Sequence, residues 1–496
     1  MNEARRPLLA LMICAALLAV SGTTKAGDDQ TPDLPRDEWH AVFMKGKRVG
    51  YVHVRMARED DSIITLSETK MTMRRFGTDL TVEMSSTCRE HLDGTPEGFV
   101  TEQMGGMMPV RTKGTIQDGT LHLVSTMGDR RQKQTLEWDP DVLFPYALDR
   151  AQKDFKLEPG EEFTAKVFSP ELSSSEPLEI TMKVIGPDTV DVLGVVHEAV
   201  KVEARYPKLP GVVEHVWLDS AHNMLVTEAV LMGGIRSVRC TKEYALAEAE
   251  AVDLTGAIMV KPDKPILRPD RLRRLVVKLS TEDGSPFSVE LASEGHQRVV
   301  ERTESSVTLE ISTELTPTEI DDLEPYQAAS TFINSSDERI VAAAHKAVGD
   351  ETDPWRTAQA LRRAVYDLVE EKNYEVAMAT ASEVIETRKG DCSEHAVLLA
   401  AMARAEGLPS RVAIGLVYVV GRFIYHMWTQ VYIDGAWRDV DATLPDRDFD
   451  AAHIRLATSP MGEGDSLLDL AAFAAVFGNL KIEIVEKEYV KRDRAD

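Results

Sequence analysis

The chain has 496 residues, a length suited to about three domains at ~150 residues each. Its 43% hydrophobic and 28% charged residues are the balance of a folded protein and exclude a disordered one. A formal net charge of −25 argues against a nucleic-acid partner, whose phosphates would repel it.

Residues 1–26 read as an export signal. Arg5 and Arg6 form a basic start, residues 7–20 are apolar, and Thr24-Lys25-Ala26 supplies a cleavage end. The apolar run is shorter than the ~20 residues of a membrane span. The expectation is an exported protein, periplasmic or extracellular, with no stable span after cleavage. Cys14 follows Leu11-Met12-Ile13, which lacks the small residue of a lipoprotein signal. Three cysteines then remain: Cys88, Cys240 and Cys392. Either Cys88 and Cys240 form a disulfide and leave Cys392 reactive, or all three are unpaired.

Residues 36–250 alternate with period two and read as an antiparallel β-rich domain, curved or partly closed like a barrel. Asp93-Gly94 and Asp118-Gly119 are hairpin turns, because both tolerate the positive φ such turns need. A helix interrupts the pattern near residues 145–153. His40, His53, His91, His122, His197, His215 and His222 share no ligand spacing, so no metal site is expected. The run 104–108, rich in Met and Gly, reads as a packed turn. The domain is expected to bind or position something, an envelope partner included.

Residues 251–320 are a linker and small β unit. Pro262, Pro265 and Pro269 break regular structure, and strands are expected at 272–280, 287–292 and 306–312. A unit of this size buries too little to stand alone and should pack on the domain C-terminal to it.

Residues 321–496 switch to helical periodicity. Ser335-x-x-Glu338 reads as a capping box, and Asp353-Pro354 starts a second helix. An irregular stretch, 371–388, leads to a third helix starting at or just after Asp391, with Cys392 in its first turn. Gly407 and Pro409 end it. This helix is apolar around most of its circumference, so it should be buried. Its dipole favours a Cys392 thiolate, and Gly390 would let a substrate carbonyl approach. Strands follow at 411–419, 423–433 and 436–443. The last two are joined by Asp434-Gly435, and a two-residue turn fixes the register. His426, Trp428 and Asp441 then share one face, with His426 and Asp441 diagonal at ~7–8 Å between backbones. Trp428 and Trp437 line a cleft or pack in the core. A tail helix at 467–477 and a strand at 481–485 complete the domain.

These residues fit a thiol acyl-transfer site. Cys392 is the nucleophile, His426 the base and Asp441 its orienting acid. The Cys392 backbone N–H is one oxyanion donor, with Tyr374 a candidate for a second. His395, three residues after Cys392, is a competing base, read as structural.

Gly390-Asp391-Cys392-Ser393-Glu394-His395-Ala396, Gly407-Leu408-Pro409-Ser410-Arg411-Val412, His426-Met427-Trp428 and Asp441-Ala442-Thr443 resemble the transglutaminase-like superfamily of papain-type thiol enzymes. The close likeness covers 373–445, and a looser one runs from 326 to the end. It implies an α+β catalytic domain at 321–496, a cysteine helix packed on an antiparallel sheet, and Cys392, His426 and Asp441 as its catalytic residues. Ala442 stands where proline commonly follows the aspartate. The superfamily includes cross-linking enzymes, peptidases, deamidating enzymes and inactive relatives. The expectation is an enzyme acting on protein or peptide amides through a thioester, ending in hydrolysis. The alternatives are a glutamine cross-linking transglutaminase and a non-catalytic binding protein or scaffold with a vestigial site. No cofactor or metal is expected, and the calcium pattern D-x-D-x-D-G is absent from the sequence.

Overall fold

The computed structural model describes residues 34–75, 77–104, 109–127, 130–152, 155–207, 209, 212–229, 234–249, 251–371, 379–444, 449–462 and 476–490. The expected leader at 1–26, most of the 104–108 turn, Tyr374 and most of the tail helix lie outside the described residues. Two compact units divide at Leu254 and Thr255.

The first unit is a sheet of sixteen strands among the described residues. Its first strand, Arg36–Met44, lies in the interior of the sheet. Successive hairpins run outward from it to Arg130–Glu137 at one edge. The chain then passes through the helix Pro145–Gln152 and winds back from the edge strand Val142–Leu143 to Ile235–Cys240. That last strand pairs with Arg36–Met44. The ladders are antiparallel except where Val142–Leu143 and Val252–Asp253 add short parallel pairs. Bulges at Val42/Phe43, Arg89/Glu90 and Val184/Gly186 bend the strands. Phe99, Trp138, Phe144 and Phe168 fill one core, with Phe144 and Phe168 stacked at 5.1 Å. Glu90 caps the helix, accepting from Tyr146 N and Ala147 N at 2.8 Å each.

No disulfide joins Cys88 and Cys240; both are free thiols. Cys88 lies on Thr78–His91 and Cys240 on Ile235–Cys240, with three strands between them in the sheet order. At ~4.8 Å per strand spacing, that is far beyond the reach of an S–S bond. The Cys88 side chain instead packs in the aromatic core.

The second unit begins with β1 (Met259–Val260), β2 (Leu272–Thr281), β3 (Gly295–Arg302) and β4 (Ser306–Thr316). The helices α1 (Glu338–Val348), α2 (Pro354–Leu368), α3 (Ala381–Thr387) and α4 (Cys392–Ala405) follow. The chain ends in β5 (Ser410–Val419), β6 (Arg422–Ile433), β7 (Ala436–Val440), β8 (His453–Ser459) and β9 (Leu480–Tyr489). One sheet has the order β1-β6-β5-β8 with β7 also on β6, and the other has the order β3-β4-β2-β9. The whole chain is therefore α+β, as its sequence pattern predicts. The small β unit and the segment from 321 share this compact unit, because β9 closes the sheet that β2 begins.

Several local expectations are corrected. Residues 287–292 form no strand, although Phe287, Val289 and Leu291 are buried in alternation. Both edges of β4 are taken by β3 and β2, so no ladder is open there; Arg302 donates to the Phe287 and Val289 carbonyls instead. The cap of α1 is Asp337, not Ser335. Its carboxylate accepts from Arg339 N and also grips the Arg339 guanidinium, each at 2.9 Å. Within the stretch expected to be irregular, α3 starts with a Thr380/Glu383 capping box.

Helix α4 is buried along nearly its whole length, as its apolar circumference predicts. Val397, Leu398, Leu399 and Met402 are each at most 1% exposed, worth ~1.5–3 kcal/mol apiece in burial. Two hydroxyls tie it to the strands: Thr429 donates to the Ala396 carbonyl and Ser410 to the Ala400 carbonyl, both at 2.9 Å.

Candidate active site

Cys392 is the first residue of α4 and is 1% exposed. The turn that presents it is held by two buried carboxylates. Asp391 caps the helix, accepting from Ser393 N at 3.0 Å and Ser393 Oγ at 2.9 Å. Glu394 completes the capping box by accepting from Asp391 N at 2.8 Å, and it also takes Ala379 N at 3.0 Å. Negative groups here complement the positive end of the helix dipole. Gly390 has φ +151°, and a Cβ there would stand 2.2 Å from the Glu394 Cβ. The space expected to admit a substrate carbonyl is therefore filled by Glu394. His395 is turned back into its own helix, with Nδ1 2.5 Å from the Asp391 carbonyl, which fits a structural part.

The β6–β7 hairpin has the register that its two-residue turn predicts. Ile433 faces Ala436 and Gln430 faces Asp439, with Asp434 and Gly435 at positive φ. Strand β7 ends at Val440, so Asp441 lies just past the ladder. Its carboxylate is fixed from two sides. Oδ1 accepts from Thr443 N at 2.8 Å and Thr443 Oγ1 at 2.7 Å, and Oδ2 accepts from His426 Nε2 at 2.8 Å. An ionised carboxylate only accepts, so Nε2 of His426 carries the proton and Nδ1 presents its lone pair. That Nδ1 is buried without a hydrogen-bond partner. Thr429, three residues beyond His426, bonds the α4 turn that follows Cys392, which seats the head of the helix on the strand that carries the histidine.

A third group joins them that the sequence does not single out. His453, the first residue of β8, places Nε2 3.4 Å from Asp441 Oδ2 and Nδ1 3.3 Å from Asp450 Oδ1. Burial opposes charge on His453, but the two carboxylates outweigh it and hold its pKa up to about 10. For Asp441, burial acts against ionisation, but His426 and His453 hold its carboxyl well below the usual range. The only sequence signal is Asp450-x-x-His453, which means little until β8 is placed beside β5.

His426, Asp441 and His453 offer ligand atoms within 4.8 Å of one another. With both Nε2 atoms directed at one carboxylate oxygen, the geometry is that of a hydrogen-bonded chain. Trp428, expected in a cleft or the core, is a core residue. It stacks on His426 at 6.0 Å, meets His453 edge-on at 5.4 Å, and donates its indole N–H to Asp439. Trp437 is fully buried beneath the Arg411 guanidinium, 4.0 Å from the ring centre. A polar chain stiffens this face: Gln430 bonds Asp439 and Arg411 at 2.8 Å each, and Glu294 accepts from Arg411 at 2.6 Å and forms an ion pair with Arg455 at 2.8 Å.

Residues 341–442 match the model of the transglutaminase-like superfamily. The chain thus carries a transglutaminase-like domain, and Cys392, His426 and Asp441 all fall within the matched segment. No curated protein matches the chain. Among solved structures, it is similar to a candidate cysteine protease from Cytophaga hutchinsonii, at 18% identity and TM-score 0.30 over 45% of this chain and 89% of that one. A β-barrel-like protein from Brucella abortus is similar at 11% identity and TM-score 0.31, over 45% and 98%. The periplasmic domain of TgpA from Pseudomonas aeruginosa, bound to ethylmercury, is similar at 13% identity and TM-score 0.25, over 38% and 89%. Among the described residues no helix is long and apolar enough to cross a membrane.

Proposed function

We propose that this protein is an exported thiol enzyme that hydrolyses amide bonds in proteins or peptides, with Cys392, His426 and Asp441 as its catalytic residues. One observation carries the reading. A buried histidine is locked by an aspartate through Nε2, its Nδ1 lone pair is left over, and its strand supports the helix that begins with the cysteine. The pattern of residues 1–26 supports export.

In the proposed reaction the Cys392 proton passes to His426 Nδ1 and the sulfur attacks the amide carbonyl carbon. The oxyanion is met by the Cys392 N–H at the start of the helix. The C–N bond breaks as His426 returns its proton to the leaving amine. A thioester remains. Water, giving a proton to His426, attacks it; the C–S bond breaks and a carboxylate and the thiol are released. Asp441 holds the imidazole in the required tautomer and stabilises its cationic form.

The test is incubation of the mature protein with a peptide library and a labelled primary amine. New peptide termini that vanish in Cys392→Ala are the expected result. Label on glutamine would replace hydrolysis by cross-linking, and ammonia release with neither would mean deamidation. Identical behaviour of wild type and Cys392→Ala in every assay would overturn the enzyme reading.

A further inference from the structure

We propose that His453 is a positioning residue of this site, an imidazolium held between Asp441 and Asp450 that offsets part of the Asp441 charge and so sets the pH at which Cys392 becomes reactive. This rests on the thiol-enzyme reading above.

The geometry suits the charged form, with Nε2 hydrogen-bonded to Asp441 and Nδ1 an ion-pair neighbour of Asp450 rather than its hydrogen-bond donor. Each ring nitrogen of His453 faces a carboxylate oxygen, at 3.4 Å to Asp441 and 3.3 Å to Asp450. A neutral imidazole has one N–H and one lone pair, and would have to aim that lone pair at one of two anions. With both nitrogens protonated, neither contact is repulsive. The ring is 3% exposed and Asp450 4%, so water contributes little and both carboxylates need a nearby cation. Asp450 is itself fixed, its Oδ1 accepting from Ala452 N at 3.0 Å. The raised pKa of His453 agrees with this arrangement.

The consequence follows from counting charges. Asp441, Asp450 and a cationic His453 sum to one negative charge around His426. Without His453 the sum is two, and without Asp450 it is zero. A more negative surround holds a proton at the site more tightly and opposes a thiolate, and a less negative one does the reverse. The His426 and His453 ring centres are 6.2 Å apart, near enough for one charge to move a titration by about 1–2 pH units. Among the described residues, the other groups facing the pair are Asp439, reached through the Trp428 indole, and His296, which stacks on Phe449 at 4.0 Å. Phe449 in turn lies 5.3 Å from His453. Burial lowers the His296 pKa, so it adds no charge at neutral pH. Cys392 opens the helix that Thr429, on the same strand as His426, bonds at the Ala396 carbonyl.

The experiment is the rate of Cys392 alkylation by iodoacetamide against pH, measured on the full chain, with Cys14, Cys88 and Cys240 replaced by serine and folding checked by circular dichroism. This readout needs no substrate. His453→Gln should move the acid limb up by about 1–2 pH units, and Asp450→Asn should move it down. Shifts of opposite sign are the signature, because a merely structural part for His453 would slow both variants without separating their limbs. If His453→Gln fails to fold, the direction of the Asp450→Asn shift decides. A depressed wild-type limb that neither substitution moves would overturn the proposal and leave the thiol-enzyme reading standing. A wild-type midpoint at the ~8.5 of an ordinary thiol, unchanged in His426→Ala, would overturn both.

Discussion

Gly390 leaves the approach to Cys392 almost no freedom. Its φ of +151° is open to glycine alone, and the volume where a side chain would stand is occupied by Glu394. Glu394 cannot retreat, since its oxygens hold Asp391 N and Ala379 N. Gly390→Ala is therefore expected to cost about 1–3 kcal/mol of folding stability and to slow Cys392 alkylation. Urea denaturation alongside the alkylation rate checks both. An unchanged midpoint would show that the turn has slack which the distances deny. The same contacts explain how Asp391 and Glu394 are tolerated inside: both carboxylates accept hydrogen bonds from backbone and hydroxyl donors, without which burial would be prohibitive.

At the scale of elements, the site depends on β8 lying tightly against β5. Gly415 makes that approach possible. A Cβ there would stand 1.9 Å from the Ile454 carbonyl oxygen, where a register shift lets β8 pass. Gly415→Ala should force the strands apart at the residue next to His453. The expected cost is about 1–3 kcal/mol, with the alkylation limb moving in the same direction as in His453→Gln. Thermal unfolding and the alkylation profile measure these together. A stability loss without a pH shift would mean that β8 yields elsewhere. Much of the element pattern is legible in the sequence, because it rests on short-range rules. Asp434-Gly435 dictates the hairpin, Asp353-Pro354 starts α2, and Asp391 starts α4. The Thr380-x-x-Glu383 box of α3 is written there too, but the helix it opens has only seven residues, too few for an apolar stripe to stand out. Residues 287–292 carry a true strand rhythm but join no ladder; the Arg302 side chain takes the Phe287 and Val289 carbonyls.

For the whole molecule, the first unit carries a pH dependence of its own. Glu214 is fully buried and accepts from the Tyr206 hydroxyl at 2.9 Å. Burial raises its pKa to about 8 from an ordinary 4.5. The folded state then holds a proton that the unfolded chain releases. This contribution is complete below about pH 4.5 and is lost as pH rises through about 8. Burial raises Glu90 to about 8 as well, so the two act in the same direction. Glu214→Gln should leave stability at pH 5 nearly unchanged and increase it at pH 9 by on the order of 5 kcal/mol. Urea denaturation at the two pH values tests the sign. Equal effects at both would place the carboxylate in contact with water.

The sequence by itself determined the features that short stretches of chain can encode: the buried cysteine helix, its caps, the hairpin register and the α+β class. Each follows from periodicity, turn chemistry or capping over a few residues. Only the tertiary structure decided what depends on distant segments meeting. It joined β9 to β2, set Glu294 between Arg411 and Arg455, kept Cys88 away from Cys240, and brought His453 to Asp441. Those contacts carry no local signature. They form because burial in one core fixes which faces meet, and the charges brought inside must then find partners in whatever segment lies opposite.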